Sequence, residues 1–172
     1  MGASMMLMRI LARLGGEPRH VLEEFHEQLR ETLPVERFVT LFVGEYDPRS
    51  GHLLYASAGH EDARLVRADG SLERLPSTGL PAGFDFDAEY EQGETHIEAG
   101  DLLAIFTDGI TEATTDGDIF YGEERAEELF LRMHQEPLTR IRESLLAEIH
   151  AYLGGQAASD DITLLLMRRT GD

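Results

Sequence analysis

The spacing of apolar residues changes along this chain, and each change marks an element. Met5, Met6, Leu7, Ile10, Leu11 and Leu14 form a helical stripe that Gly15-Gly16 stops. Pro18 opens a second helix to about Glu31, with Val21, Leu22, Phe25 and Leu29 on its apolar face. Phe38 to Tyr46 is rich in Val, Phe and Thr and predicts a strand; Asp47 to Gly51 is a turn and Leu53 to Ser57 the return. Arg64 to Arg67 and Leu72 to Leu75 flank Ala68-Asp69-Gly70-Ser71, whose Asp-Gly signals a hairpin. Pro76 to Asp87 reads as loop. Glu89 to Ile97 and Asp101 to Thr107 read as two strands joined by Glu98-Ala99-Gly100. Gly109 to Tyr121 reads as an irregular loop, Glu123 to His134 and Pro137 to Leu153 as helices, and Ile162 to Arg168 as a buried closing strand.

Helices, then a run of antiparallel strands, then helices, then one strand is an α+β order rather than an alternating βαβ one. At 172 residues, with no linker or internal repeat, the chain reads as a single domain over 1–172.

Composition then narrows the chemistry. The net charge is −18, so nucleic acid and anionic membrane are not expected partners. An anionic substrate needs bound cations to reverse the local field. Cysteine is absent, which excludes a cysteine-based phosphatase, a thiolate zinc site and disulfides. Lysine is absent too, which removes Schiff-base and P-loop chemistry. No signal peptide and no run of membrane-spanning length stand out, so a cytoplasmic location is expected.

Two acidic turns carry the candidate chemistry. Leu102-Leu103-Ala104-Ile105-Phe106 runs into Thr107-Asp108-Gly109, and Ser159-Asp160-Asp161 runs into Ile162-Thr163-Leu164-Leu165-Leu166-Met167. Carboxylates where an apolar strand meets solvent are suited to hold a hard divalent cation through oxygen if they converge at one sheet edge. The competing readings are an ordinary Asp-Gly turn for Asp108 and a charged strand guard for Asp160 and Asp161. Adjacent strand residues face opposite ways, so one Asp of the pair points into a given site. Asp116-Gly117-Asp118 reads as a flexible acidic turn. Glu23, Glu24, Glu27 and Glu31 read as a solvated helix face, and Met5, Met6 and Met8 as packing.

With these segments in place, the chain resembles the SpoIIE/RsbU-type branch of the metal-dependent (PPM, type 2C) protein serine/threonine phosphatases. The resemblance is carried by Phe38-Val39-Thr40-Leu41-Phe42, Tyr55-Ala56-Ser57-Ala58-Gly59-His60, Glu98-Ala99-Gly100-Asp101-Leu102-Leu103, Phe106 to Ala113 and Asp160 to Leu165. It implies two stacked antiparallel sheets flanked by helices. It implies hydrolysis of phosphoserine or phosphothreonine with manganese or magnesium, two ions in a complete site. The phosphorylated substrate it implies is a STAS-type anti-sigma-factor antagonist in a bacterial partner-switching pathway. By the family pattern Asp108 and Asp160 are metal ligands. Asp161 reads as a neighbour of the ligands or a solvent-facing group, His60 as a loop-shaping or substrate-adjacent residue, and Gly109, Glu112 and Asp101 as candidates near the site, with strand-flanking the competing reading for Glu112 and Asp101.

One departure qualifies the resemblance. Family members begin with a Gly-Asp strand and an Asp-x-Ser-Gly-x-Gly hairpin that supply the bridging Asp and a carbonyl ligand. This sequence opens at the helix that follows, Gly2-Ala3-Ser4-Met5-Met6-Leu7-Met8. The expectation is therefore a domain lacking those N-terminal strands, with at most one ion weakly held. Its Met-rich helix is a candidate homodimer contact. The rival reading is a non-catalytic module that binds a STAS-type partner without hydrolysis.

Overall fold

The computed structural model describes residues 8, 11, 15–32, 37–84, 88–115, 119–156, 158 and 160–171. The expected N-terminal helix and the Asp116-Gly117-Asp118 turn therefore lie largely or wholly outside the described residues. The chain divides into two compact units, residues 1–60 with 76–96, and 61–75 with 97–172.

The first unit carries helix α1 (Pro18–Thr32) and strands β1 (Leu41–Tyr46), β2 (His52–Ala58) and β5 (Gly93–His96). They form an antiparallel sheet in the order β1-β2-β5. Leu22, Phe25 and Leu29 of α1 bury against Ala56 and Ala58 of β2, and Met8 and Leu11 pack onto the same cluster. The helical stripe read from the sequence is thus the one that covers this sheet. Glu24, Glu27 and Glu31 face solvent, as their charge requires.

The second unit carries β3 (Ala63–Val66), β4 (Leu72–Leu75), β6 (Leu102–Phe106), helix α2 (Asp108–Thr111), helices α3 (Glu123–Met133) and α4 (Leu138–Tyr152), and β7 (Leu164–Arg168). Its antiparallel sheet has the order β4-β3-β6-β7. The β3–β4 hairpin closes on Asp69, whose carboxylate accepts the Ser71 amide (2.9 Å) and hydroxyl (2.7 Å). Leu129 and Phe130 of α3 and Ile141, Leu145 and Ile149 of α4 bury against Leu102, Ala104 and Phe106 of β6. Two antiparallel sheets with flanking helices are the expected α+β fold class.

Several expectations need correction. The strand expected over 38–46 begins at Leu41; Val39 pairs separately with Ala82 through reciprocal backbone bonds of 2.8 and 2.9 Å. The strand expected over 89–97 is only Gly93–His96, and Glu98-Ala99-Gly100 makes no hairpin, because β5 and β6 belong to different sheets. The loop expected over 109–121 opens with the short helix α2. The closing strand is an edge strand and is not buried: its residues are half-exposed, and Leu165 is 52% exposed.

Candidate functional site

The site grows from the pairing of β6 with β7 in the second unit. Register runs from Leu102↔Arg168 to Phe106↔Leu164. Beyond Phe106 a side chain continues the ladder. The Thr107 amide donates to the Thr163 carbonyl (3.1 Å). The Thr107 hydroxyl accepts the Thr163 amide (3.0 Å) and donates to the Asp161 carbonyl (3.2 Å). Gly109 closes the arrangement: a β-carbon there would fall 2.4 Å from the Asp161 carbonyl oxygen. The Thr-Asp-Gly turn and the Asp-Asp turn are therefore locked side by side, backbone against backbone.

Asp108 begins α2 and is exposed; its carbonyl accepts the Glu112 amide at 2.7 Å and the Thr111 hydroxyl at 3.3 Å. Asp160 is exposed, and its Oδ1 accepts the Asp161 amide at 2.7 Å, which leaves Oδ2 outside that bond. Asp161 is exposed and contributes its carbonyl to the lock. Glu112 is exposed at the end of α2. Ile110 and Ala113 enter the core of the second unit, which anchors the turn from below. The backbones of the two acidic turns thus lie side by side at the ends of β6 and β7. Hard oxygen donors that remain hydrated suit Mg2+ or Mn2+. Among the described residues no group of three or more His, Asp or Glu is arranged to hold a metal.

Asp101 has a structural role, and His60 belongs to the first unit, not to the unit that carries the two acidic turns. Asp101, at the opposite end of β6, is 2% exposed. It accepts the Arg67 guanidinium (2.8 Å) and the amides of Ala68 and Glu98 (both 2.9 Å), a clamp rather than a ligand. His60 is half-buried in the first unit, just past Gly59. Gly59 has φ +60°, and a β-carbon would lie 2.4 Å from the Pro81 ring, so the Ala-Gly-His motif is built for that close approach.

Sequence reasoning missed two features. The bridging hydroxyl of Thr107 was legible only as part of a motif. Arg64 was read as a strand residue, yet it is fully buried. It donates to Glu127 and Glu123 of α3 (both 2.6 Å) and to the Asp62 carbonyl, with its guanidinium 5.3 Å from the Phe106 ring centre. Glu123 and Glu127 lie four residues apart on α3, and that spacing was the available signal.

Two antiparallel sheets with flanking helices give this chain the PP2C fold. The chain belongs to the SpoIIE family, matching the family described as Stage II sporulation protein E (SpoIIE) over residues 1–170. It is 30% identical over 166 residues to phosphoserine phosphatase RsbU of Bacillus subtilis, covering 94% of this chain and 48% of the relative. The chain spans about half the length, or less, of the curated relatives it matches. The SiaA-PP2C domain of Pseudomonas aeruginosa shares the fold with a TM-score of 0.83 at 21% identity, over 96% of this chain and 67% of that one. The catalytic domain of the serine/threonine phosphatase PstP, solved with 2 manganese ions, aligns with a TM-score of 0.68 at 16% identity, over 99% of this chain and 82% of that one. Among the described residues no helix is long and apolar enough to cross a membrane.

Proposed function

We propose that this chain is a phosphatase domain that removes phosphate from serine or threonine of a protein, with Asp108 and Asp160 as oxygen ligands of one Mn2+ or Mg2+. The observation that carries this reading is the lock between Thr107-Asp108-Gly109 and Asp160-Asp161, made by the Thr107 hydroxyl and the Gly109 backbone. An ordinary Asp-Gly turn uses its glycine for a positive φ, whereas Gly109 has none and is needed for the close approach to the Asp161 carbonyl.

When bound, the cation lowers the pKa of a coordinated water and offsets phosphate charge. The protein's own residues do the rest. Asp108 and Asp160 supply negative oxygen donors, and the Asp161 amide holds Asp160 Oδ1 in a fixed orientation. Thr107 fixes the distance between the two turns. Buried Ile110 and Phe106 keep the base from shifting as substrate arrives. Two carboxylates and water make a weak one-ion site, so a binuclear centre of the family type needs the bridging Asp of a Gly-Asp strand and the carbonyl of an Asp-x-Ser-Gly-x-Gly hairpin as well.

The substrate proposed is a phosphorylated STAS-type anti-sigma-factor antagonist in a cytoplasmic partner-switching pathway, as the family resemblance suggests; the likeness to a phosphoserine phosphatase supports the phosphoserine chemistry. The test is calorimetry with manganese. The unaltered chain binds weakly, and Asp108→Asn with Asp160→Asn abolishes binding while the fold is retained. Unchanged manganese binding in the double variant sinks the assignment.

A further inference from the structure

Between α2 and α3 the second unit shows water two adjacent large apolar side chains, Ile119 at 62% and Phe120 at 49% exposure. Scattered exposed apolar residues are ordinary. These two differ because their backbone is pinned. The Tyr152 hydroxyl donates to the carbonyls of Ile119 and Phe120, both at 3.1 Å. Arg125 donates to the Phe120 carbonyl at 3.1 Å and to that of Tyr121, with its guanidinium 5.1 Å from the Tyr152 ring centre. The Tyr121 ring meets Tyr152 edge-on at 5.6 Å, and its hydroxyl donates to Glu148 at 3.1 Å. The Tyr121 amide donates to the Ala113 carbonyl and the Gly122 amide to Thr111, both at 2.8 Å, which ties the platform to the helix that begins at Asp108.

Holding apolar side chains out in water contributes nothing to folding. It does lower the ordering cost of binding, because the ridge is already fixed. Beside the ridge lies a cleft of about 670 Å³, lined by Phe120, Tyr121, Arg74, Glu123, Glu124 and Glu128 among others. Of its two arginines one is paired with carboxylates, and the other is held in place but keeps its charge. Arg74 pairs with Glu123 (3.2 Å) and Glu127 (2.8 Å), and Arg125 holds carbonyls. Glu124 and Glu128 are exposed, one turn apart on α3, and have no ion pair among the described residues. What faces solvent is an apolar ridge beside a wall of one net negative charge, Glu123, Glu124 and Glu128 against Arg74 and Arg125, with Glu124 and Glu128 its carboxylates unpaired among the described residues.

We propose that this ridge and cleft dock a segment of the protein substrate carrying Arg or Lys next to an apolar side chain. The inference rests on the phosphatase reading above and adds the substrate's recognition element. A chain of net charge −18 repels a phosphoprotein unless the partner offers positive charge at a defined place. The same wall argues against nucleic acid or an anionic small molecule at this position.

The probe is a fluorescein-labelled peptide Gly-Arg-Leu-Arg-Phe-Gly, compared with versions carrying Glu for Arg or Ser for Leu and Phe, read by anisotropy in EDTA. The arginine–apolar peptide binds, salt weakens it, and the other two bind at least about tenfold more weakly. Ile119→Ser with Phe120→Ser weakens binding by at least about tenfold. Glu124→Arg with Glu128→Arg shifts preference to the glutamate peptide, and this pair decides the matter if the serine variant is poorly folded by circular dichroism. No binding, equal binding of the arginine and glutamate peptides, or an unmoved affinity in a folded serine variant overturns the proposal. Because the assay contains no metal, a chain that binds the peptide yet never hydrolyses phosphoserine defeats only the phosphatase reading.

Discussion

The Thr107 hydroxyl and the Asp161 carbonyl meet at 3.2 Å, one step beyond the last paired residues of β6 and β7. That bond sits where the strand ladder would otherwise fray. It converts two strand ends into one rigid edge and sets the spacing of the two acidic turns.

Gly109 tests the lock most directly. In Gly109→Ala the new methyl lands 2.4 Å from the Asp161 oxygen and 3.0 Å from its carbon, so backbone must move. Overpacking of this kind costs about 1–3 kcal/mol. Urea unfolding should show that loss, and manganese calorimetry should show a larger relative loss of binding than of stability. A variant as stable and as metal-binding as the original would show that the close approach has no role.

Much of this was legible before any coordinates. The α1 stripe, the Asp-Gly hairpin and the β6 run each follow a local rule, and each appears where its pattern ends. The adjacency of the Thr107-Asp108-Gly109 and Asp160-Asp161 turns was suggested by matching strand-end contexts. What escaped was tertiary. Arg64 reads only as the start of a hairpin strand, because nothing local reveals that Glu123 and Glu127 will pair with it. The β7 run Leu164-Leu165-Leu166-Met167 reads as buried on both faces, yet Leu165 faces water because β7 lies at a sheet edge. Gly93 begins β5 opposite Tyr55, where a β-carbon would lie 2.3 Å from the Tyr55 ring, a neighbour that no periodicity announces.

Arg64 should dominate the stability of the second unit among its surface-type residues. It is fully buried, and Arg64→Met leaves Glu127, itself 12% exposed, with only Arg74 as partner. Breaking a buried pair costs about 3–5 kcal/mol, and the remaining Arg74 contact places this case at the low end. Arg74→Met, at a half-exposed site, costs less than about 1 kcal/mol. Denaturant midpoints in the reverse order would mean the buried guanidinium is not what ties α3 to the sheet.

Alkaline pH should weaken the fold in a defined window. Burial pushes the phenol of Tyr90 up to about 12, and burial together with the Glu148 charge does the same for Tyr121, from an ordinary 10.0. The folded state therefore holds these protons more tightly than the unfolded chain. Their contribution is fully present below pH 10 and is lost as pH rises toward 12. Urea midpoints should fall through that window, and Tyr121→Phe should fall less steeply. A midpoint that is level across it in the unaltered chain would contradict the buried-phenol account.

The last prediction concerns turnover. In the proposed site Asp108 and Asp160 would give one ion two carboxylates, whereas water activation of the family type relies on charge held in place on both sides of the attacking oxygen. The chain of 172 residues should therefore hydrolyse a phosphoserine STAS protein slowly or not at all with manganese. A fusion that adds a relative's Gly-Asp strand and Asp-x-Ser-Gly-x-Gly hairpin ahead of Met1 should gain activity by orders of magnitude, as restoring preorganised charge stabilisation does. The added Asp is the component to vary: its replacement by Asn in the fusion should return the rate to that of the shorter chain while leaving the fold intact by circular dichroism. If the two chains turn over the substrate at comparable manganese-dependent rates, the reacting centre is not at the Asp108–Asp160 edge, and the lock made by Thr107 serves the fold alone.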